Sequence, residues 1–237
     1  MNIILNKELI DLREIKSWPI RRGEWFLQRM LSPNAPSECE ILGLKFEIEK
    51  GVFSPAISRS TEFFVKELIK RCVGKKVFEV GCGSGAISIH CALAGAKRVF
   101  CTDVSSIAIK CTKKNAKYHN VLHKMEIREA RGFNEFKDKF DLIFFGLPYV
   151  YIENVDPLLE KYGEIAYSIF DEKYKSQIEY FTNVSKYMKE GGAAYVAFSK
   201  VGDLKMFEMN LSKSGLIAIL ESTEKEGRAD NQFFRLI

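Results

Sequence analysis

The sequence predicts an α/β fold, a mostly parallel sheet of seven strands with helices on both faces. Three observations lead to this prediction. Apolar runs of strand length alternate with amphipathic runs of helix length from residue 76 onward. A glycine-rich turn at 81–85 directly follows the first of these strands. Only the polar segment 221–231 separates the last two strands, which favours a hairpin and therefore an antiparallel final strand.

The individual elements follow from hydrophobic periodicity. We predict strands at 76–80, 97–102, 124–128, 141–145, 193–198, 216–220 and 232–236. We predict helices at 84–94, 104–118, 173–189 and 203–214, and an earlier helix at 62–72 that Gly74 ends.

The beginning of the chain does not share this alternation. We predict that residues 1–58 form an N-terminal accessory segment and that residues 59–237 form the main domain. The predicted parts of the accessory segment are, in order, a helix over 7–16, an interruption at Pro19, a helix over 21–30, a turn at 32–37 and a β-hairpin within 39–54.

Composition excludes several classes of protein. The chain has 237 residues and a net charge of +5, a surplus that permits contact with nucleic acid but does not argue for it. We see no apolar run of membrane-spanning length and no signal peptide. The six cysteines form no C-x-x-C pair and are expected to be reduced thiols, so we expect a cytoplasmic protein. The histidines and cysteines lack metal-ligand spacing, and we expect no metal.

The glycine-rich turn predicts a nucleotide site. Gly81, Gly83 and Gly85 let the backbone turn tightly and approach a ligand closely. Their spacing differs from that of the dinucleotide fingerprint and of the P-loop. Asp103 ends the next strand, 22 residues after Gly81, where an acid binds ribose hydroxyls in nucleotide-binding folds; capping of the following helix is its alternative role. Glu79 ends a buried strand and needs a partner there, either a ligand or loop amides.

Three segments carry a resemblance to a known family. The pattern E-x-G-x-G-x-G at 79–85 resembles motif I of the class I S-adenosylmethionine (SAM)-dependent methyltransferases. The run Phe-Asp-Leu-Ile followed by Pro-Tyr, within 140–149, resembles motif IV of the amino-methyltransferases. The segment 51–62 resembles the one before motif I in HemK-like glutamine-amide methyltransferases and their relatives, which include adenine amino-methyltransferases.

The resemblance implies the Rossmann-like methyltransferase sheet, SAM as cofactor and S-adenosylhomocysteine (SAH) as product. Many members of the family have an aspartate beside the adenine amino group after the third strand. This chain has none there, so Glu129 or the backbone of Ala130 is the substitute. The positions implied for cofactor binding are Pro55, Glu79, Gly81, Cys82, Gly83, Gly85, Asp103, Val104, Glu129 and Ala130.

The catalytic positions implied by motif IV are Gly146, Leu147, Pro148 and Tyr149. In the family, an Asn or Asp side chain and the next carbonyl accept hydrogen bonds from a planar NH2 group, on which the aromatic ring stacks. Gly146 replaces that Asn or Asp here, and Leu147 replaces the first proline. The acceptor is therefore expected not to be an ordinary adenine or glutamine amide, or to be held by other groups.

Segment 150–173 is long for a connection within a compact domain, and we expect it to cover the acceptor. Candidate substrate contacts are Trp25 in the accessory segment and Tyr151, Glu153 and Tyr162 after motif IV. Each has a structural alternative. Trp25 is either an anchor of the accessory segment or part of a cap over the pocket, and the other three are either substrate contacts or ordinary surface residues.

These features predict an enzyme that transfers a methyl group from SAM to a nitrogen atom. A small molecule, such as a specialised metabolite, is the expected acceptor because the N-terminal extension is too short for a substantial macromolecule-docking domain. A protein glutamine amide or an RNA base is the alternative, and so is a non-catalytic SAM-binding partner subunit. The glycine spacing disfavours an NAD-dependent oxidoreductase. The oligomeric state does not follow from the sequence.

Overall fold

The computed structural model describes residues 2–5, 8–134, 136–226 and 229–237. The strands are β1 (Asn2–Leu5), β2 (Glu8–Asp11), β3 (Glu38–Ile41), β4 (Leu44–Glu47), β5 (Lys76–Val80), β6 (Arg98–Asp103), β7 (Met125–Glu129), β8 (Phe140–Gly146), β9 (Val150–Ile152), β10 (Phe170–Glu172), β11 (Met188–Ser199), β12 (Ala218–Glu226) and β13 (Ala229–Leu236). The α-helices are α1 (Leu12–Leu31), α2 (Ser60–Ile69), α3 (Ala86–Leu93), α4 (Ser106–Tyr118), α5 (Asp156–Tyr162), α6 (Lys175–Tyr187) and α7 (Leu204–Lys213).

Seven strands form the central sheet in the order β12-β13-β11-β8-β5-β6-β7. β5, β6, β7, β8 and β11 pair in parallel, whereas β13 runs antiparallel between β11 and β12. The chain leaves β5 towards β6 and β7 and returns to β8 on its other side. Such a change of direction opens a crevice at the carboxyl ends of the strands, where ligands bind in open α/β sheets. The fold predicted from the sequence is therefore confirmed.

Both faces of the sheet are buried. Successive side chains of β5 point to opposite faces, so Val77 packs on one side and Phe78 on the other. Buried residues of α2, α3 and α4 cover the first face, and buried residues of α6 and α7 cover the second. This two-sided burial explains why the strands read as nearly continuous apolar runs. No helix in the described ranges is both long enough and apolar enough to cross a bilayer.

The predicted interruption at Pro19 was wrong, although the helix predicted over 21–30 lies within α1. A single helix, α1, continues through Pro19, although proline removes one hydrogen bond from a helix interior. Burial of Leu27 and Met30 against the rest of the chain stabilises this helix beyond what local pattern shows. The first predicted helix begins at Lys7, which lies outside the described residues, and 8–11 are strand instead.

The predicted β-hairpin at 39–54 is confirmed in part, because β3 and β4 pair but the second strand ends at Glu47. Ile41 and Phe46 of this hairpin pack in the same core as α2 and α3. α2 ends at Ile69 rather than at residue 72, and the Cys72 thiol, beyond its end, donates to the Ile69 carbonyl instead.

The segment 150–173 is not an irregular connection. It contains β9, α5 and β10, and β9 pairs in parallel with β10. Val150, Leu158 and Phe170 form a core separate from those on the two faces of the sheet, together with Phe26 and Leu27 of α1. The N-terminal helix and the segment after β8 therefore form one packed unit, which their separation in sequence concealed.

Candidate functional site

A cavity of about 250 Å³ lies at the carboxyl ends of the central strands. Its wall comes from the loops after β5, β6, β7 and β8, from 51–64 before and within α2, and from 164–169. Four acids, Glu79, Asp103, Glu164 and Glu179, line it together with Arg131. This is the crevice that the sheet topology predicts.

The turn after β5 is held against β6 by its backbone. The amides of Gly81 and Cys82 both donate to the Thr102 carbonyl, at 2.8 and 3.0 Å. Gly85 has φ +81°, and a Cβ there would lie 2.8 Å from Cγ2 of Thr112 on α4. The lack of a side chain at Gly85 therefore allows α3, which begins at Ala86, to approach α4. Gly85 does not line the cavity.

Asp103 lies at the end of β6 beside this turn. Its carboxylate accepts hydrogen bonds from the amides of Gly83, at 2.9 Å, and Ser105, at 3.0 Å. Burial raises the pKa of Asp103, and the charge of Glu164 adds to the rise. A carboxylate offers about four acceptor positions, so acceptor capacity remains on the cavity side. Ser105, not Asp103, is the N-cap residue of α4, so the helix-capping alternative for Asp103 was wrong, and the bond to the Ser105 amide holds the turn before the helix.

Glu79 is 3% exposed and accepts a hydrogen bond from the Ser88 hydroxyl. Burial raises the pKa of Glu79 to about 8, with a smaller contribution from the charge of Asp103. The carboxyl is therefore mostly protonated at neutral pH. A cationic group placed beside Glu79 in the cavity would favour its ionised form.

Residues 146–149 leave β8 along the other side of the cavity. The Leu147 amide donates to the Ala197 carbonyl at 3.3 Å, which ties this ledge to β11. The Tyr149 ring packs edge-on against Phe198, with centroids 6.3 Å apart. Gly146 has open space on its side-chain side, because a Cβ there would meet only Phe144, at 4.0 Å. A planar group therefore has room beside the Leu147 carbonyl.

The structure brings most of the predicted site residues to this one cavity. Those that line it are Pro55, Glu79, Gly81, Cys82, Gly83, Asp103, Val104, Ala130, Gly146, Leu147, Pro148 and Tyr149. Those that do not are Gly85, Glu129 and the four candidate substrate contacts Trp25, Tyr151, Glu153 and Tyr162.

The four candidate substrate contacts have other surroundings. Trp25 is 47% exposed and stacks under the Arg29 guanidinium, 4.8 Å from its ring centre. The Tyr151 hydroxyl donates to Glu153, and both side chains are exposed. The Tyr162 hydroxyl donates to Glu24 at 3.1 Å, which links α5 to α1. The geometry matches the structural alternative for Tyr151, Glu153 and Tyr162. The ring contacts of Trp25 are with Phe26 and Arg29 of its own helix, so neither of its two predicted roles is confirmed.

Several cavity residues were not singled out from the sequence. Phe26 lines the cavity one residue after Trp25, and Glu179 reaches it from the middle of α6, where no motif marks it. The Ser105 hydroxyl is buried, lines the cavity and has no hydrogen-bond partner among the described residues. Such a group indicates a ligand that completes the site.

The chemistry of the lining fits SAM. The cofactor has a ribose diol for Asp103 and an α-ammonium that Glu79 would accept once ionised. The acidic lining also favours a ligand that carries a sulfonium charge. No cluster of three histidine, cysteine, aspartate or glutamate side chains in the described part of the chain is arranged to hold a metal ion.

Comparisons with known proteins point to the same cofactor as the chemistry of this site. The model of the methyltransferase small domain family matches residues 43–156. A Methanocaldococcus jannaschii protein with the provisional name protein N5-glutamine methyltransferase is 30% identical over 162 residues, which are 68% of this chain and 79% of that protein. The release factor glutamine methyltransferase of Aquifex aeolicus is 36% identical over 118 residues, but the match spans only 48% of this chain and 41% of that enzyme.

A solved structure shows the same fold. The 16S rRNA N2 G1207 methyltransferase of T. thermophilus, in complex with AdoMet and guanosine, superposes with a TM-score of 0.57 at 19% identity, over 85% of this chain and 52% of that one. The motifs at 79–85 and 140–149, the sheet order and the relatives in sequence lead to the same assignment. The chain belongs to the class I SAM-dependent methyltransferases, in the HemK-like N-methyltransferase branch that its motifs resemble.

Proposed function

We propose that this chain transfers a methyl group from SAM to the side-chain amide nitrogen of a glutamine in a protein. The observation that carries the proposal is the ledge Leu147–Pro148–Tyr149, which lines the same cavity as Asp103 and the glycine turn. Relatives named for glutamine and ribosomal-protein methylation support a protein acceptor. These relatives favour a protein glutamine amide, which the sequence left as an alternative acceptor, over the small molecule that we expected from the sequence.

In this proposal one side of the cavity binds the cofactor and the other side binds the acceptor. When bound, SAM supplies a methyl group that its sulfonium has already activated. Asp103 accepts hydrogen bonds from the ribose hydroxyls, and the Glu79 carboxylate pairs with the α-ammonium group of SAM. The turn at 81–83 gives close backbone approach, while Val104 and Ala130 border the base and Pro55 closes the cavity from the segment before α2.

On the acceptor side the Leu147 carbonyl accepts one hydrogen bond from the glutamine NH2 group, and the Tyr149 ring stacks on the amide plane. This arrangement directs the nitrogen at the methyl group, so catalysis is mainly positioning. The N–C bond would form as the S–C bond breaks, SAH would leave with the electron pair of that bond, and the amide nitrogen would release one proton to solvent. Gly146 leaves the second N–H of the amide without the side-chain acceptor that the family pattern places there. We infer that the acceptor backbone supplies additional contacts along the wall formed by 164–169.

We also propose that residues 1–58 act as an accessory segment to the main domain, which residues 59–237 form. Helix α1 packs on β9 and α5, and Phe26 of this helix reaches the cavity wall. In this proposal the accessory segment shapes the entrance for a peptide chain through α1 and closes the cofactor cavity through Pro55.

The test is a transfer assay with methyl-labelled SAM. Purified release factor, purified ribosomal protein L11 and free glutamine serve as acceptors, and mass spectrometry locates the added methyl group. Label on a glutamine side chain of a protein supports the proposal, and label on free glutamine alone contradicts it. SAH binding without transfer to any acceptor would favour the non-catalytic subunit.

A matched pair of variants tests the role of the ledge. Tyr149→Ala should lower turnover with SAH affinity retained. Tyr118→Ala, at a side chain that is 64% exposed on α4, should leave both unchanged. Equal loss of turnover and cofactor affinity in Tyr149→Ala would argue against a stacking role.

A further inference from the structure

The order of the strands places the base of the cofactor beside the loop after β7. β5, β6 and β7 are neighbours in the sheet, with the glycine turn at the end of the first and Asp103 at the end of the second. A nucleoside whose ribose lies at Asp103 therefore extends towards 130–133. That loop is fixed in place, since the Ala130 amide donates to the Asp103 carbonyl at 3.0 Å and Thr102 Oγ1 donates to the Gly132 carbonyl at 2.9 Å.

No acidic side chain of this loop faces the expected position of the base. Glu129 is exposed and outside the cavity wall. It shares the strand parity of Met125 and Ile127, which pack on the α4 side of the sheet. Arg131 lines the cavity, but its guanidinium lies 5.7 Å from the Tyr167 ring centre. A carboxylate acceptor for an exocyclic amine at this place would therefore have to come from another element.

Glu179 of α6 approaches the loop from the opposite face. Its Oε1 lies 3.4 Å from the position that a Cβ on Gly132 would occupy. The side chain is half-buried, lines the cavity, and its carboxylate makes no hydrogen bond or ion pair with any described residue. This carboxylate is an acceptor without a protein donor, at the place where the base is expected.

The helix that carries Glu179 is held firmly. The adjacent Tyr180 is 2% exposed, and its hydroxyl donates to the Tyr195 carbonyl at 3.2 Å. The Tyr180 ring also stacks on Phe133 of the loop, with centroids 5.6 Å apart and planes 18° apart. Helix α6 and the loop therefore belong to one rigid wall, which is what selection among bases requires.

We propose that Glu179 accepts a hydrogen bond from the 6-amino group of the cofactor's purine and so selects adenine at this site. The assignment rests on the proposed use of SAM. In this assignment a side chain from α6 replaces the aspartate that many family members have after the third strand and that this chain lacks. A purine without the 6-amino group should therefore bind less well.

The test compares two ligands by calorimetry, SAH and its analogue with hydrogen in place of the 6-amino group. The wild-type protein should bind SAH about tenfold more tightly than the analogue, as expected for one hydrogen bond to a charged group. Glu179→Ala should bind SAH about tenfold more weakly than wild type and should bind the two ligands equally. Glu179→Gln keeps an acceptor oxygen and should retain most of the discrimination.

Glu208→Ala is the matched control, because Glu208 is an exposed acid on α7 that does not line the cavity. It should discriminate as the wild type does, which separates the effect of Glu179 from a general loss of negative charge. Undiminished discrimination in Glu179→Ala would overturn this inference alone. Failure of the wild-type protein to bind SAH would overturn both the proposed function and this inference.

Discussion

The Gly83 amide donates a hydrogen bond to Oδ2 of Asp103 at 2.9 Å, and this bond joins the glycine turn to the end of β6. The same carboxylate binds the amide of Ser105 through its other oxygen. Asp103 therefore fixes the shape of the loop while it faces the cavity. Loop order and ligand binding depend on one side chain, so a substitution there tests both.

Replacement of Asp103 should weaken cofactor binding strongly. Charge-assisted hydrogen bonds contribute roughly 1.5–3 kcal/mol, so Asp103→Ala should raise the dissociation constant of SAM by about one to two orders of magnitude. Titration calorimetry measures this directly. Asp138→Ala is a suitable control, since Asp138 is an exposed acid paired with Lys76, away from the cavity. An unchanged binding heat in Asp103→Ala would remove the ribose assignment.

The sheet was predictable because its signals are local. Buried strands and one-sided helices each show their periodicity within a few residues, and the strand predicted at 76–80 coincides with β5. The alignment of the glycine turn with Asp103 was also predictable, since parallel strands bring their carboxyl ends to one edge.

The remaining features depend on contacts between distant parts of the sequence. α1 passes Pro19 as one helix that packs on β9 and α5, more than a hundred residues later. Glu129 was a reasonable candidate by position, but strand parity turns it away from the cavity. Glu179 lies in the middle of an ordinary amphipathic helix and becomes a cavity residue only when α6 packs beside Gly132.

Gly85→Ala should destabilise the fold. A left-handed conformation costs a residue with a Cβ about 1–2 kcal/mol, and overpacking adds about 1–3 kcal/mol, because the new methyl group would meet Thr112. We expect a loss of about 2–5 kcal/mol in urea unfolding. Gly43→Ala separates the two effects, because Gly43 has nearly the same φ, +80°, but nothing within 4 Å of its Cβ position. Equal losses in the two variants would contradict the packing argument.

The raised pKa of Glu79 predicts a pH-dependent stability. Burial raises the pKa of Glu79 from 4.5 to about 8, so the folded protein binds a proton that the unfolded chain releases. The stability from this group is fully present below pH 4.5 and is lost as pH rises to about 8. The slope approaches 1.4 kcal/mol per pH unit between these values. Glu79→Gln should remove this slope in denaturant unfolding at a series of pH values. A wild-type slope in the variant would show that other groups cause the dependence.

The same group should link cofactor binding to proton release. An ammonium beside Glu79 favours the carboxylate, so SAM binding at pH 7 should release close to one proton. Calorimetry in buffers of different ionisation enthalpy measures this number. SAM affinity should rise with pH as Glu79 ionises and fall again above about pH 8, where the α-ammonium of free SAM loses its proton. Glu79→Gln should bind SAM without this proton release, and an unchanged release would place the ammonium elsewhere.

Gly146→Asn should restore the acceptor that the family pattern places at this position. Gly146 lacks the positive φ that would require glycine, and a Cβ there meets only Phe144 at 4.0 Å, so the fold should accept the change. If the acceptor is a glutamine amide, the new side-chain oxygen accepts its second N–H and should raise turnover roughly twofold to tenfold, the value of one hydrogen bond. Gly146→Ala fills the same space without an acceptor and should not raise turnover. Loss of transfer in Gly146→Asn with SAH affinity unchanged would show that the natural acceptor occupies this space and is not a primary amide.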